Sequence, residues 1–162
     1  MPTVSPWFFA VTLLAALGCG LIAGAFFAFS TFVMKALARL PAGEGMAAMQ
    51  SINVVVLNPM FLGVFLGTAV LCVGALIFSW QHWPESGAIY LAVGSVLYLV
   101  GTLLVTIRFN VPRNNALASI SRSDPNAPQL WARYVVSWTI WNHVRTAAAL
   151  AASAAFIIAL RC

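Results

Sequence analysis

Residues 59–80, PMFLGVFLGTAVLCVGALIFSW, run from Pro59 to Trp80 without one charged side chain. A bilayer span needs roughly 20 mostly apolar residues, and this stretch supplies one. Working outward, the same silence recurs: residues 1–34, 45–84 and 86–107 carry no charge, and from Tyr134 to Leu160 the only charge is Arg145. The gaps predict four transmembrane helices, at Trp7–Met34, Pro59–Trp80, Ala88–Ile107 and Val136–Leu160. The first is too long for the apolar core of a signal peptide and lacks a basic leader, so it is expected to stay in the mature protein. No alternation in ten-residue segments points to a membrane barrel.

Composition agrees. Of 162 residues, 62% are hydrophobic and only 7% charged, against about 25% charged in an average soluble domain. So few charges cannot solvate a globule that must hide this much apolar side chain, which excludes an ordinary cytosolic protein, a disordered chain and a small disulfide scaffold. Cys19, Cys72 and Cys162 show no paired spacing and read as unreactive thiols. The net charge of +5 does not point to nucleic acid, because its distribution reports topology. Lys35, Arg39, Arg108, Arg113, Arg122 and Arg133 fall in the connections after the first and third spans, and only Arg161 lies on the opposite side. The positive-inside rule then places both termini outside and long loops one and three in the cytoplasm. The expectation is an all-α, single-domain, up-down four-helix bundle over residues 1–162, integral to the inner (cytoplasmic) membrane with lipid as its solvent.

Helices in lipid pack through small residues. Ala16, Gly20, Gly24 and Ala28 form one stripe, Gly63, Gly67 and Gly74 a second, Gly87, Gly94 and Gly101 a third, and the alanine run 147–155 a fourth. These faces either close the bundle or join protomers into a homo-oligomer; both are geometrically allowed. The short 81–87 connection makes a hairpin of spans two and three, with Trp7, Trp80 and Trp83 in an outer aromatic belt. Asn58 before Pro59 has the form of a helix N-cap with proline at the first helical position. Residues 45–57 are then either a separate short helix or the lower part of a kinked second span. In loop three, Asn114-Asn115 and Ser123-Asp-Pro-Asn-Ala-Pro carry turn signals.

The polar residues gather in the cytoplasmic half. Ser30 and Thr31 close span one; Gln50, Asn53 and Asn58 open span two; Arg108, Asn110, Arg113 and Asn114 close span three; Trp138, Trp141, Asn142, His143 and Arg145 open span four. Trp138, Asn142, Arg145 and Ala149 share one helical face with Trp141 beside it, and His143 lies about 100° from Asn142. Arg145 either snorkels to the interface or points inward, paired with carbonyls or with amides of Asn53 or Asn110. No acid lies within any span, so an inward Arg145 invites an anionic or polarised ligand oxygen. One histidine without carboxylates or thiolates is no metal site, and neither metal nor cofactor is expected.

Two groups of residues carry a family resemblance. The first half offers Gly24-Ala-Phe-Phe-Ala-Phe-Ser-Thr-Phe-Val-Met-Lys-Ala-Leu, then Gln50-Ser-Ile-Asn and Asn58-Pro. The second offers Asn110-Val-Pro-Arg-Asn-Asn-Ala-Leu-Ala, Trp131, Tyr134 and Trp138-Thr-Ile-Trp-Asn-His-Val-Arg-Thr. From about Gly18 to Ala149 the chain resembles the anthrone oxygenase-like family of small four-helix membrane proteins. The resemblance implies a cofactor-independent monooxygenase acting on an anthrone-like or other acidic polycyclic aromatic. On that reading His143 is the base, and Arg145 with Asn142 and Asn53 holds the substrate oxyanion. Trp138 and Trp141, with Phe26, Phe27 or Phe29, sandwich the rings, and Asn58 and Asn110 complete the binding set. Two other readings use the same residues: a binding or transport protein for a small hydrophobic or anionic molecule, with Arg145 as counter-charge, or a structural plug holding loops one and three against the bundle.

Overall fold

The computed structural model describes residues 6–83, 85, 87–121 and 124–162. Of the features named above, the tail 1–5, Pro84 and Ser86 of the hairpin turn, and Arg122 and Ser123 of loop three lie outside these residues. Every regular element among the described residues is helical. Among the described residues there are five helices: α1 (Pro6–Leu37), α2 (Ala42–Val55), α3 (Pro59–Gln81), α4 (Ala88–Ala118) and α5 (Ala127–Ala159). Three of them, α1, α3 and α4, are long and apolar enough to cross a membrane. The helix α5 lies along α1 and α4, and α3 lies along the same two.

Helix ends explain where the charge gaps and the fold part company. Asn58 does cap α3: its Oδ1 accepts from Phe61 N at 2.9 Å, with Pro59 in the first turn. That cap separates α2 from α3, so most of residues 45–57 belong to a helix of their own. Helix α4 does not stop at Ile107 but runs on through Pro112 to Ala118, and α5 starts at Ala127, before Val136. Loop three is therefore much shorter than the 108–135 expected. Arg108 and Arg133 mark where apolar surroundings end, and a helix does not have to end there. Pro112 is tolerated because a π turn, Thr106–Asn110, precedes it, where the wider winding accommodates the bond that proline cannot make.

The buried apolar residues form two cores. One lies among α1, α3, α4 and α5 and includes Ala15, Cys19, Ile22, Phe26, Phe65, Cys72, Leu91, Tyr98 and Phe156. Cys19 and Cys72, with nothing in their spacing to pair them, meet there as free thiols. The other core joins the end of α1 to α2, α4 and α5 through Met34, Leu37, Met46, Met49, Leu117, Trp131, Tyr134 and Trp138. Gln50 of α2 fastens this end, donating from Nε2 to the carbonyls of Leu117 (2.9 Å) and Ile120 (3.2 Å). Leu117 lies in the last turn of α4, and its carbonyl also accepts from Ile120 N at 3.2 Å.

The small-residue stripes divide. Gly94 and Gly101 admit α5: a Cβ on Gly94 would lie 3.2 Å from Ala152 O, and one on Gly101 would overlap Ala148 Cβ. Gly18, outside the expected stripe, meets Thr68 in the same way. By contrast, a Cβ at Gly24, Gly63, Gly67 or Gly74 would meet nothing within 4 Å. These glycines face outward and make no close contact within the chain, so the second stripe does not serve the fold. Gly101→Ala should therefore lower stability in detergent by about 1–3 kcal/mol, whereas Gly67→Ala should stay within about 0.5 kcal/mol of the parent; denaturant unfolding measures both.

Candidate functional site

Between the two apolar cores lies a polar layer. On α5 it comprises Asn142, Arg145 and Thr146, on α1 Ser30, and on α4 Thr102, Thr106 and Asn110. The lining of α4 follows a strict rhythm in the sequence: Tyr98, Thr102, Thr106, Asn110 and Asn114 recur every fourth residue. In an ideal α-helix such a row drifts about 40° per step. Here Leu97–Leu104 and Thr106–Asn110 are wound as π-helix, and the looser winding keeps the row facing α5. In α1 the π turn Phe29–Val33 does the same for Phe26, Ser30 and Met34, all buried at four-residue spacing. π turns are rare and recur at functional sites.

Asn142, fully buried, is the hub. Its Nδ2 donates to Phe26 O and to Ser30 Oγ, both at 2.7 Å, and its Oδ1 accepts from Arg145 Nε at 2.9 Å. Ser30 Oγ lies 3.1 Å from Thr146 Oγ1, which donates to Asn142 O at 2.6 Å. Arg145, only 6% exposed, also donates from Nη1 to Thr106 Oγ1 at 3.3 Å. Thr102 Oγ1 in turn donates to Arg145 O at 3.3 Å.

Arg145 therefore points inward rather than snorkelling. Its amide partner is Asn142, and neither Asn53 nor Asn110 reaches it among the hydrogen bonds of the described residues. The guanidinium carbon sits 3.8 Å from the centre of the Phe26 ring and 5.0 Å from that of Trp138, a cation–π setting. A guanidinium has five N–H donors. Two have protein acceptors here; among the described residues the others have none, and no carboxylate answers the charge. Asn110, 1% exposed, donates to Trp138 O at 3.3 Å, and its Oδ1 is buried without a partner.

The other expected site residues distribute as follows. Trp138 is 3% exposed, and its Nε1 donates to Asn114 Oδ1 at 2.8 Å, which also accepts from Tyr134 Oη at 2.9 Å. Trp141 lies one turn before Arg145, half-buried and stacked on Phe109. His143 is exposed on the far side of α5, so the structure separates it from Arg145; the 100° step from Asn142 carries it off the face. Phe27 is 57% exposed and its neighbour Phe26 faces the guanidinium instead. Asn58 is spent on its cap at the exposed start of α3. Asn53 faces the Tyr134 hydroxyl from α2, and its Nδ2 is buried without a hydrogen-bond partner among the described residues. Thr102, Thr106 and Asn114 were not expected in these roles; their signal in the sequence is the every-fourth row, which a 3.6-residue period hides.

Against this geometry, the anthrone oxygenase family model matches residues 57–155. The chain belongs to the anthrone oxygenase family. The matched region contains Asn110, Trp138, Trp141, Asn142 and Arg145, whereas Phe26, Ser30 and Asn53 precede it. No curated protein and no solved structure matches the chain. Among the described residues of this family member, no three His, Cys, Asp or Glu side chains come together as a metal-ligand group.

The hub makes a prediction about stability. Asn142→Ala strands the Arg145 charge and should cost roughly 3 kcal/mol or more, while Arg145→Met removes the charge with its desolvation and should cost less. Thermal unfolding in one detergent ranks the two.

Proposed function

We propose that the protein is a membrane-embedded oxygenase that oxidises an anthrone-like, acidic polycyclic aromatic ketone, with Arg145 as the counter-charge to the substrate's enolate oxygen. Family membership supports the reaction class. The observation that carries the site is a buried guanidinium with no carboxylate, uncommitted N–H donors and aromatic faces on two sides.

The chemistry follows from the substrate. The carbon between the rings of an anthrone is acidic because its conjugate base is an aromatic enolate with its charge on oxygen. With His143 outside the cluster, the substrate arrives as that enolate, its proton left in water, and Arg145 holds it. Dioxygen adds at the electron-rich carbon, and a proton from solvent completes a hydroperoxide. Loss of water then breaks the O–O bond and leaves a second carbonyl. One oxygen atom ends in the quinone and the other in water, which carries the solvent proton of the hydroperoxide and the proton lost from the remaining C–H. Arg145 and its donors stabilise the enolate in an environment where such contacts are strong. Asn142 fixes the guanidinium, Trp138 walls the site, and Asn110 offers an acceptor for a hydroxyl on the ring.

In the same reading α5 crosses the bilayer as a fourth span. The whole chain is then one membrane domain, an up-down bundle in the inner membrane with both termini outside and the polar layer towards the cytoplasm.

Dioxygen uptake with anthrone, followed as anthraquinone formation by purified protein in detergent, tests the proposal. Arg145→Met should lower the rate about 10²–10³-fold, the usual cost of one oxyanion contact, and His143→Ala should stay within about twofold of wild type. An Arg145→Met rate equal to wild type would overturn the assignment.

A further inference from the structure

The seam between α4 and α5 runs through four successive contacts. Gly94 meets Ala152 and Gly101 meets Ala148, Thr106 meets Arg145, and Phe109 meets Trp141. The last pair is unusual. The two ring centres are 3.5 Å apart and the planes differ by 2°, so the rings lie squarely over each other with almost no offset. Aromatic rings of like polarity prefer offset or edge-to-face arrangements over such a sandwich. Both rings are half-buried, and Arg108, exposed, has its guanidinium carbon 5.6 Å from the Phe109 centre.

Position makes this pair matter. Trp141 precedes Arg145 by one helical turn on the same face, and Phe109 is the immediate neighbour of Asn110. The guanidinium itself is enclosed by Phe26 and Trp138. A flat substrate therefore needs an aromatic surface next to Arg145, and the Trp141 indole offers one that Phe109 now covers.

We propose that Phe109 is a placeholder for the substrate ring: the planar ring system of an aromatic ketone or its enolate displaces Phe109 from Trp141, stacks on the indole, and directs its oxygen along the seam towards Arg145. A fused polycyclic ring, as ketone or enolate, covers more of the indole face than a single phenylalanine ring does. The exchange is a side-chain rotation of Phe109, which is half-buried. It rests on the oxyanion role given to Arg145 above, but it can be tested apart from that role.

The test is equilibrium dialysis of anthraquinone against detergent-purified protein, with thermal unfolding to confirm that each variant folds. A placeholder and a platform respond in opposite directions. Phe109→Ala, and to a smaller degree Phe109→Leu, should tighten binding, roughly three- to tenfold for the alanine. Trp141→Ala should weaken it by a similar factor, while Trp141→Phe keeps most of it. If Phe109→Ala and Trp141→Ala weaken binding together, the pair is a clamp between helices and the proposal falls; if neither changes it, the ligand sits elsewhere and the proposal falls equally. Arg145→Met separates the two ideas. Opposite effects at Phe109 and Trp141 keep the placeholder whatever Arg145→Met does to the binding of this neutral ligand, whereas an unchanged anthrone oxidation rate in Arg145→Met removes the oxyanion role alone. Wild-type protein that binds no anthraquinone would overturn the placeholder.

Discussion

A guanidinium enclosed by helices in an apolar setting must take its acceptors from whatever those helices present, and in this protein the contact between Arg145 Nε and Asn142 Oδ1 at 2.9 Å is where that demand is met. A buried carboxylate would have neutralised the charge more completely, but also permanently. Asn142 orients the cation and leaves it positive. Its own Nδ2 ties α5 to α1 through Phe26 O and Ser30 Oγ, so one side chain both joins two helices and aims the charge. The structural and chemical readings of this cluster are therefore compatible: the plug that holds the helices leaves the guanidinium without a carboxylate.

The surrounding layers follow from this arrangement. Apolar cores lie on either side of the polar layer, one rich in alanine and phenylalanine, the other in methionine, tyrosine and tryptophan. Aromatic and sulfur-bearing side chains suit a region where helices of different lengths converge, because they fill irregular space and carry a polar atom at one edge. Tyr134 and Trp138 use those atoms on Asn114, which steadies the ring that walls the guanidinium.

Much of this was legible in the sequence, and the exceptions have physical causes. Gaps between charges located the three apolar spans, because burial of charge in lipid is costly regardless of helix detail. The Asn58-Pro59 cap was legible because capping chemistry is local. The inward face with Trp138, Asn142 and Arg145 followed from helical period. Helix ends at Ala118 and Ala127 were not legible, since Arg108 and Arg133 report polarity and not backbone conformation. His143 failed because a residue 100° from a buried one falls either at the edge of the site or outside it, and packing alone decides. Gly63, Gly67 and Gly74 match the pattern of close-packing glycines, yet only the placement of α1 and α4 reveals that they look away. The pairing of Cys19 with Cys72, and of Phe109 with Trp141, depends on tertiary register that no spacing within one helix encodes.

The wide turns of α4 have one further consequence. A π turn holds one residue more than the α turn it replaces, so the stretch Leu97–Asn110 works as a phase adjuster: its length, more than its composition, sets the angle at which Thr106 and Asn110 present themselves. Losing a single residue there would leave a sound helix with the same side chains, but everything after the gap would be turned by about 100°. Such a segment tolerates exchange of its outward leucines and valines while being intolerant of insertions and deletions, the reverse of what a surface loop allows.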